Sequence, residues 1–171
     1  NRQNLTMPFK AIQTDKVYRA ENPQKGRLRE FMQCDIDVIG DASPECEIEL
    51  IAVTAKALMA LEIGEFTVRV NDRTVLDKIG AEGVVAELSE KGYDKACVDK
   101  FAEILSLLPL DIDKVREIVG DEATARLSGI IAASKAIADG KYGIEFDISL
   151  VRGQGYYTGT VFEVRSENFG S

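Results

Sequence analysis

Cys34, Ile36 and Val38 alternate with Asp35 and Asp37, a period of two that lets an extended strand separate an apolar face from a polar one. Residues 10–21 (KAIQTDKVYRAE) are also strand-like, and Asn22-Pro23-Gln24-Lys25-Gly26 lies between the two runs with proline and glycine as turn formers. The pattern predicts an antiparallel hairpin over 10–21 and 29–40. Ser43 and Pro44 then open a run in which Ile48, Ile51, Ala55, Leu58, Met59 and Glu62 recur at helical spacing. Gly64 is expected to stop that helix, and Phe66 to Val70 to form a short strand.

From about residue 75 to 140 helix formers dominate, broken at Gly80, Gly83, Gly92, Pro109 and Gly120. The clearest helix is expected over Glu122–Asp139, with Leu127, Ile130, Ile131 and Ile137 on one face. Strand-like runs return at 144–152 and 156–165, joined by Gly153-Gln154-Gly155, and predict a second hairpin. The expected fold is α+β, a mainly antiparallel sheet with a helical insertion. Its parts are 1–74 and 142–171 of one core, with 75–141 inserted between them.

A length of 171 residues suits one hydrophobic core rather than several modules. With 45% apolar and 29% charged residues, a soluble globular chain is expected, with no membrane-spanning run. The chain contains no histidine, so a histidine base, a histidine metal ligand and a histidine-activated nucleophile are all excluded within it. Its three cysteines include no C-x-x-C pair, which favours reduced thiols over a disulfide framework or a zinc site. The net charge of −8 hides an asymmetry: residues 1–30 carry +4 and the remainder −12. A cationic patch on an acidic body suits a compact polyanion such as a nucleoside triphosphate better than DNA.

Two constellations concentrate polar chemistry. In the first hairpin, Arg19 and Glu21 leave one strand, while Arg29, Phe31, Gln33, Asp35 and Asp37 share a face of the other. A solvated sheet face laced with ion pairs shows the same pattern. The second is Leu150-Val-Arg152-Gly-Gln-Gly-Tyr156-Tyr157, whose two glycines permit a tight turn but lack the third glycine and helix of a dinucleotide loop. Adjacent tyrosines point to opposite faces of a strand, so one can fill the core while the other offers its hydroxyl.

Val17-Tyr-Arg-Ala-Glu-Asn-Pro-Gln-Lys-Gly-Arg-Leu-Arg-Glu-Phe31, followed by Gln33-Cys-Asp-Ile-Asp37, resembles motif 2 of class II aminoacyl-tRNA synthetases in its histidyl form. Leu150 to Tyr157 is similar to that family's histidine-binding signature. The resemblance implies activation of histidine by ATP to histidyl-adenylate and transfer to tRNA(His), in the cytoplasm, by a homodimer. It implies that Arg19 and Arg152 hold the α-phosphate from two sides. Glu21 would accept from the adenine amine, Phe31 would stack on the base, and Arg27 would reach the terminal phosphates. Gln33 would bind the substrate's α-amino group, Asp37 and Tyr157 its imidazole nitrogens, and Tyr156 would line the same pocket; Arg19 and Arg152 also face the histidine. Magnesium arrives with ATP, and no metal site built from protein side chains is expected.

Gln154-Gly155 stands where the family carries Leu-Asp, and Arg73 runs almost directly into Val75-Leu-Asp-Lys-Ile-Gly80 where the family has a longer helical stretch. Motif 1, which builds the dimer interface, motif 3 and the anticodon-binding domain are not found. The expected remnant is the middle of a catalytic domain, weakly active or inactive alone, with apolar surface where motif 1 packs. The rival implied by the same resemblance is the non-catalytic, synthetase-like regulatory subunit of ATP phosphoribosyltransferase.

Overall fold

The alternation at 34–38 folds as a strand. In the computed structural model, whose described residues are 5–20, 22, 28–75, 111–150 and 158–167, β1 (Phe9–Tyr18) pairs antiparallel with β2 (Glu30–Ile39). The register is unbroken from Phe9↔Ile39 to Tyr18↔Glu30, and Arg19 N donates to Arg29 O at 2.8 Å to extend the ladder by one position. Paired residues share a face, so Val17, Phe31, Gln33, Asp35 and Asp37 lie on one side and Ile12, Tyr18, Met32, Cys34 and Ile36 on the other. Ile12, Tyr18 and Met32 are 72%, 71% and 61% exposed. The alternation does separate an apolar side from a polar one, but these three apolar side chains are open, whereas Phe31 and Gln33 on the polar side are half-buried.

The chain divides into two compact units, Asn1–Cys46 and Glu47–Ser171. The boundary falls in the first turn of α1 (Pro44–Ala60). Asp41 Oδ1 accepts from Ser43 N at 2.8 Å just before the helix, and these hydrogen bonds from Ser43 hold the Asp41 carboxyl below its ordinary range. The helix ends earlier than expected. Ile63 N donates to Leu58 O and Glu62 N to Met59 O, the double bond of a Schellman motif, with Glu62 in the left-handed region at φ 55°. Gly64 follows the stop instead of making it.

In the second unit β3 (Thr67–Asp72) is the middle strand of three. β4 (Gly143–Phe146) lies parallel to it and β5 (Thr160–Arg165) antiparallel. The expected second hairpin is therefore corrected: β4 and β5 do not pair with each other but flank β3, and the strand-like run at 144–152 leaves the sheet at Asp147. The cause is local: the Asp147 carboxylate accepts from Ser149 N at 2.8 Å and Leu150 N returns to Asp147 O at 3.0 Å, which closes a turn over 147–150. Among the described residues two of the three strand pairings are antiparallel, in keeping with an α+β fold.

Of the expected helical insertion, residues 76–110 lie outside the described residues. The rest forms α2 (Ile112–Val119) and α3 (Asp121–Ala138). Asp111 caps α2 by accepting from Asp113 N and Lys114 N. On α3 the buried stripe is Thr124, Leu127, Ile130, Ile131, Ser134 and Ala138, at spacings of three and four. Ile137 was expected on that face but is 49% exposed, because helical geometry sets it beside the stripe. Leu127, Ile130 and Ile131 join Ile51 and Ala55 of α1, Val68 and Val70 of β3, Val115 of α2, and Ile144 of β4 in one core. Among the described residues no helix is long and apolar enough to cross a membrane.

Candidate functional site

In the first unit, β2 displays Phe31, Gln33, Asp35 and Asp37 at every second position, about 7 Å apart along the strand. Arg19 follows β1 opposite Arg29, and its guanidinium lies 4.5 Å from the centre of the Phe31 ring. That is cation–π distance, so the arginine is held over the aromatic face. The ring face that Arg19 covers is closed to a base in this arrangement. Gln33 Nε2 donates to Asp35 Oδ1 at 2.7 Å, which orients the amide along the strand. Asp37 is exposed and stands across from Ala11, the smallest side chain on the matching face of β1. Lys16 Nζ pairs with Glu30 Oε1 at 2.6 Å on the opposite side of the hairpin, leaving that ion pair out of the row.

Arg19, Phe31, Gln33 and Asp37 are thus brought together on one face. Glu21 and Arg27 of the first motif, and Arg152, Tyr156 and Tyr157 of the second signature, lie outside the described residues. What the structure does describe is the platform that leads to Arg152. Arg69 on β3 is paired with Asp147 through its Nε and Nη2, and Nη2 reaches Ser149 Oγ at 3.2 Å. Two residues further on, Asn71 is fully buried and donates from Nδ2 to the carbonyls of Ile148 (3.3 Å) and Leu150 (3.2 Å). Sequence reasoning missed this clamp, since the strand was expected to end at Val70. Asparagine and aspartate are poor strand formers, and β3 runs on through both.

Below this clamp a second polar group ties α1 to the sheet. Asp72, 2% exposed, accepts from Thr74 N at 2.8 Å, and Thr160 Oγ1 lies 3.0 Å from both Asp72 Oδ2 and Glu47 Oε2. A hydroxyl carries one proton, so Thr160 donates to one of these carboxylates at a time. Arg126 of α3 meets Glu47 at 3.0 Å. A cleft of 560 Å³ lies at the opposite end of β3, lined by Phe66, Thr67, Tyr142, Glu145 and Arg165, and includes none of the residues given a binding or catalytic role from the sequence. Burial there raises the Tyr142 phenol above its ordinary range. Among the described residues no group of three or more carboxylates or cysteines is arranged to hold a metal ion.

Burial pushes the Asp147 carboxyl up, but hydrogen bonds from the Ser149 hydroxyl, Arg69 and the Ser149 amide, together with the charge of Arg69, outweigh it and leave the pKa below the ordinary carboxylate value. A depressed folded-state pKa adds stability above the unfolded value, about 3.9, and loses it as pH falls through the folded value. The stability difference between the chain and its Asp147→Asn variant, read by urea titration, should therefore be constant from pH 7 to about 5 and shrink below about 4. A difference that grew toward acid would contradict the pairing.

Residues 2–171 match the family model for histidyl-tRNA synthetase. Relatives include the histidine–tRNA ligase of Leifsonia xyli, 38% identical, aligned over all of this chain and 48% of its own length. That of Aeropyrum pernix is 37% identical over 94% of this chain and 43% of its own. The chain spans about half the length of the curated relatives it matches. The Leifsonia alignment runs over 213 positions, more than the 171 residues of this chain, so the relative carries residues within the matched span that this chain lacks. The fold is that of a histidyl-tRNA synthetase from Nostoc, with a TM-score of 0.65 over 96% of this chain and 43% of that one at 23% identity. It is also that of a Bacillus halodurans protein described as an ATP phosphoribosyltransferase regulatory subunit/histidyl-tRNA synthetase, with a TM-score of 0.73 over 99% of this chain and 51% of that one at 23% identity.

Proposed function

The chain belongs to the histidyl-tRNA synthetase family, and we propose that it is the central part of the catalytic domain of a cytoplasmic, homodimeric histidine–tRNA ligase. In this reading the protein joins histidine to ATP as histidyl-adenylate and passes the histidyl group to tRNA(His). A carboxylate oxygen of histidine attacks the α-phosphorus, the bond to the bridging oxygen breaks, and pyrophosphate leaves with magnesium, which arrives as part of the nucleotide substrate. Such a displacement needs fixed cations around the phosphorus more than a protein base.

Arg19 and Arg152 supply those cations, Phe31 stacks on the adenine, Glu21 accepts from its amine, and Arg27 meets the terminal phosphates. Gln33 takes the α-amino group, and Asp37 and Tyr157 take the imidazole, with Tyr156 beside them. The observation that supports this most is the shared face of β2, where Arg19 sits 4.5 Å over Phe31 in line with Gln33 and Asp37. On binding of ATP, Arg19 moves from the ring to the phosphate, exchanging a cation–π contact for a stronger charge-assisted hydrogen bond.

Asp37→Ala tests the assignment on the histidine side. In the full-length protein it should weaken histidine binding by about 10- to 100-fold, the worth of one charge-assisted hydrogen bond, and leave ATP affinity within about threefold. Isothermal titration with each ligand separately reads this; equal losses for both would remove Asp37 from the imidazole pocket.

The regulatory reading draws on the double description of the Bacillus halodurans neighbour, a likeness of fold. The sequence favours the ligase, since Arg19, Glu21, Arg27, Phe31 and Arg152 are all retained and a purely regulatory site has no use for an ATP-binding set.

A further inference from the structure

We propose that Asp35 is a positioning residue for Gln33: its carboxylate fixes which end of the Gln33 amide faces it, and so leaves the amide oxygen for the α-ammonium of the substrate amino acid. The inference rests on the α-amino role given to Gln33 above. Gln33 and Asp35 are half-buried and two residues apart on β2, and so share a face. Gln33 Nε2 donates to Asp35 Oδ1 at 2.7 Å. An amide carries two N–H donors at one end and an acceptor at the other, whereas an ionised carboxylate only accepts. The Nε2 end is therefore the one that Asp35 can hold, and a reversed amide would set two acceptors against each other. Oε1 is the end left over, and it takes no hydrogen bond among the described residues. An α-ammonium has three donors and no acceptor, so of the two ends of the amide only Oε1 can receive it. A glutamine free to turn would offer the ammonium the wrong end for part of the time. The carboxylate across the hairpin is engaged elsewhere: Asp15, paired with Gln33 in the register, accepts from Lys16 N at 2.7 Å through its Oδ1.

The experiment measures binding of histidine, and of its analogue without the amino group, 3-(imidazol-4-yl)propionate, to the full-length protein by isothermal titration. Asp35→Ala should weaken histidine binding about tenfold and change that of the analogue by less than about twofold, because the analogue has no ammonium for the amide to receive. In a Gln33→Ala background the same change should cost histidine less than about twofold, since the group being positioned is gone. A tenfold loss in that background would make Asp35 a direct ligand or a merely structural residue and overturn the proposal, as would equal losses for both ligands. Asp35→Asn, whose amide can meet either end of Gln33, takes its place should the alanine variant not fold, with a loss of about threefold expected for histidine alone. A wild-type protein that binds both ligands equally would remove the α-amino role of Gln33, and the proposal with it. A wild-type preference for histidine that is undiminished in Asp35→Ala overturns the proposal alone.

Discussion

Arg152→Ala is expected to slow histidine-dependent adenylate formation by about 100- to 1,000-fold in the full-length protein, with histidine affinity changed by less than about threefold. The asymmetry follows from when the charge matters. The phosphorus in flight spreads negative charge over oxygens that a preorganised cation stabilises, whereas in the proposed site bound histidine would contribute only a carboxylate that Arg19 would also face. Removing one preorganised donor at such a centre costs about 3–4 kcal/mol of barrier, and the loss appears in kcat. Single-turnover formation of adenylate, measured beside equilibrium histidine binding, separates the two quantities. Equal losses in rate and affinity would make Arg152 a ground-state ligand and no more.

Leu127→Ala is expected to destabilise the second unit by about 2–5 kcal/mol, as a cavity at the centre of a packed core does. Leu127 has no exposed surface and sits with Ile130 of its own helix in the cluster that also takes in Val68 and Val70 of β3 and Ile51 of α1. Interiors packed to crystal density do not collapse around a missing isobutyl group without losing contacts. Ile137→Ala, on the same helix but half exposed, should cost within about 0.5 kcal/mol. Urea titration of the chain and both variants reads the contrast. Equal costs at the two positions would mean that α3 is turned differently on the sheet.

That contrast also shows where the sequence was legible. Period-two alternation at 34–38 and the turn residues at 22–26 are local signals, and the first hairpin formed in the expected place. The helix over 121–138 was equally plain, but choosing its buried face by apolar identity selected Ile137 and passed over Thr124, Ser134 and Ala138, which the 3.6-residue period buries. The second hairpin failed for a different reason. Strand partners are chosen by tertiary packing, and nothing in 144–165 announces that β3, more than 70 residues earlier, lies between the two strands.

The site divides in the same way. Phe31, Gln33 and Asp37 could be placed on one face because alternation along a single strand fixes their side, and motif resemblance suggested their roles; Arg19 joins them only through the register of the neighbouring strand, which alternation does not fix. Asn71 carried no such mark. A lone asparagine after a valine-rich strand reads as the start of a loop, and its worth lies in two carbonyls 77 and 79 residues away in the chain.

Pyrophosphate exchange into ATP by the full-length protein tests the functional account most directly, because it requires reversible formation of an adenylate and nothing from tRNA. The account predicts exchange that depends on histidine, is not supported by other amino acids, and is lost in Arg152→Ala. Histidine binding without any exchange would contradict it and leave the regulatory reading in its place.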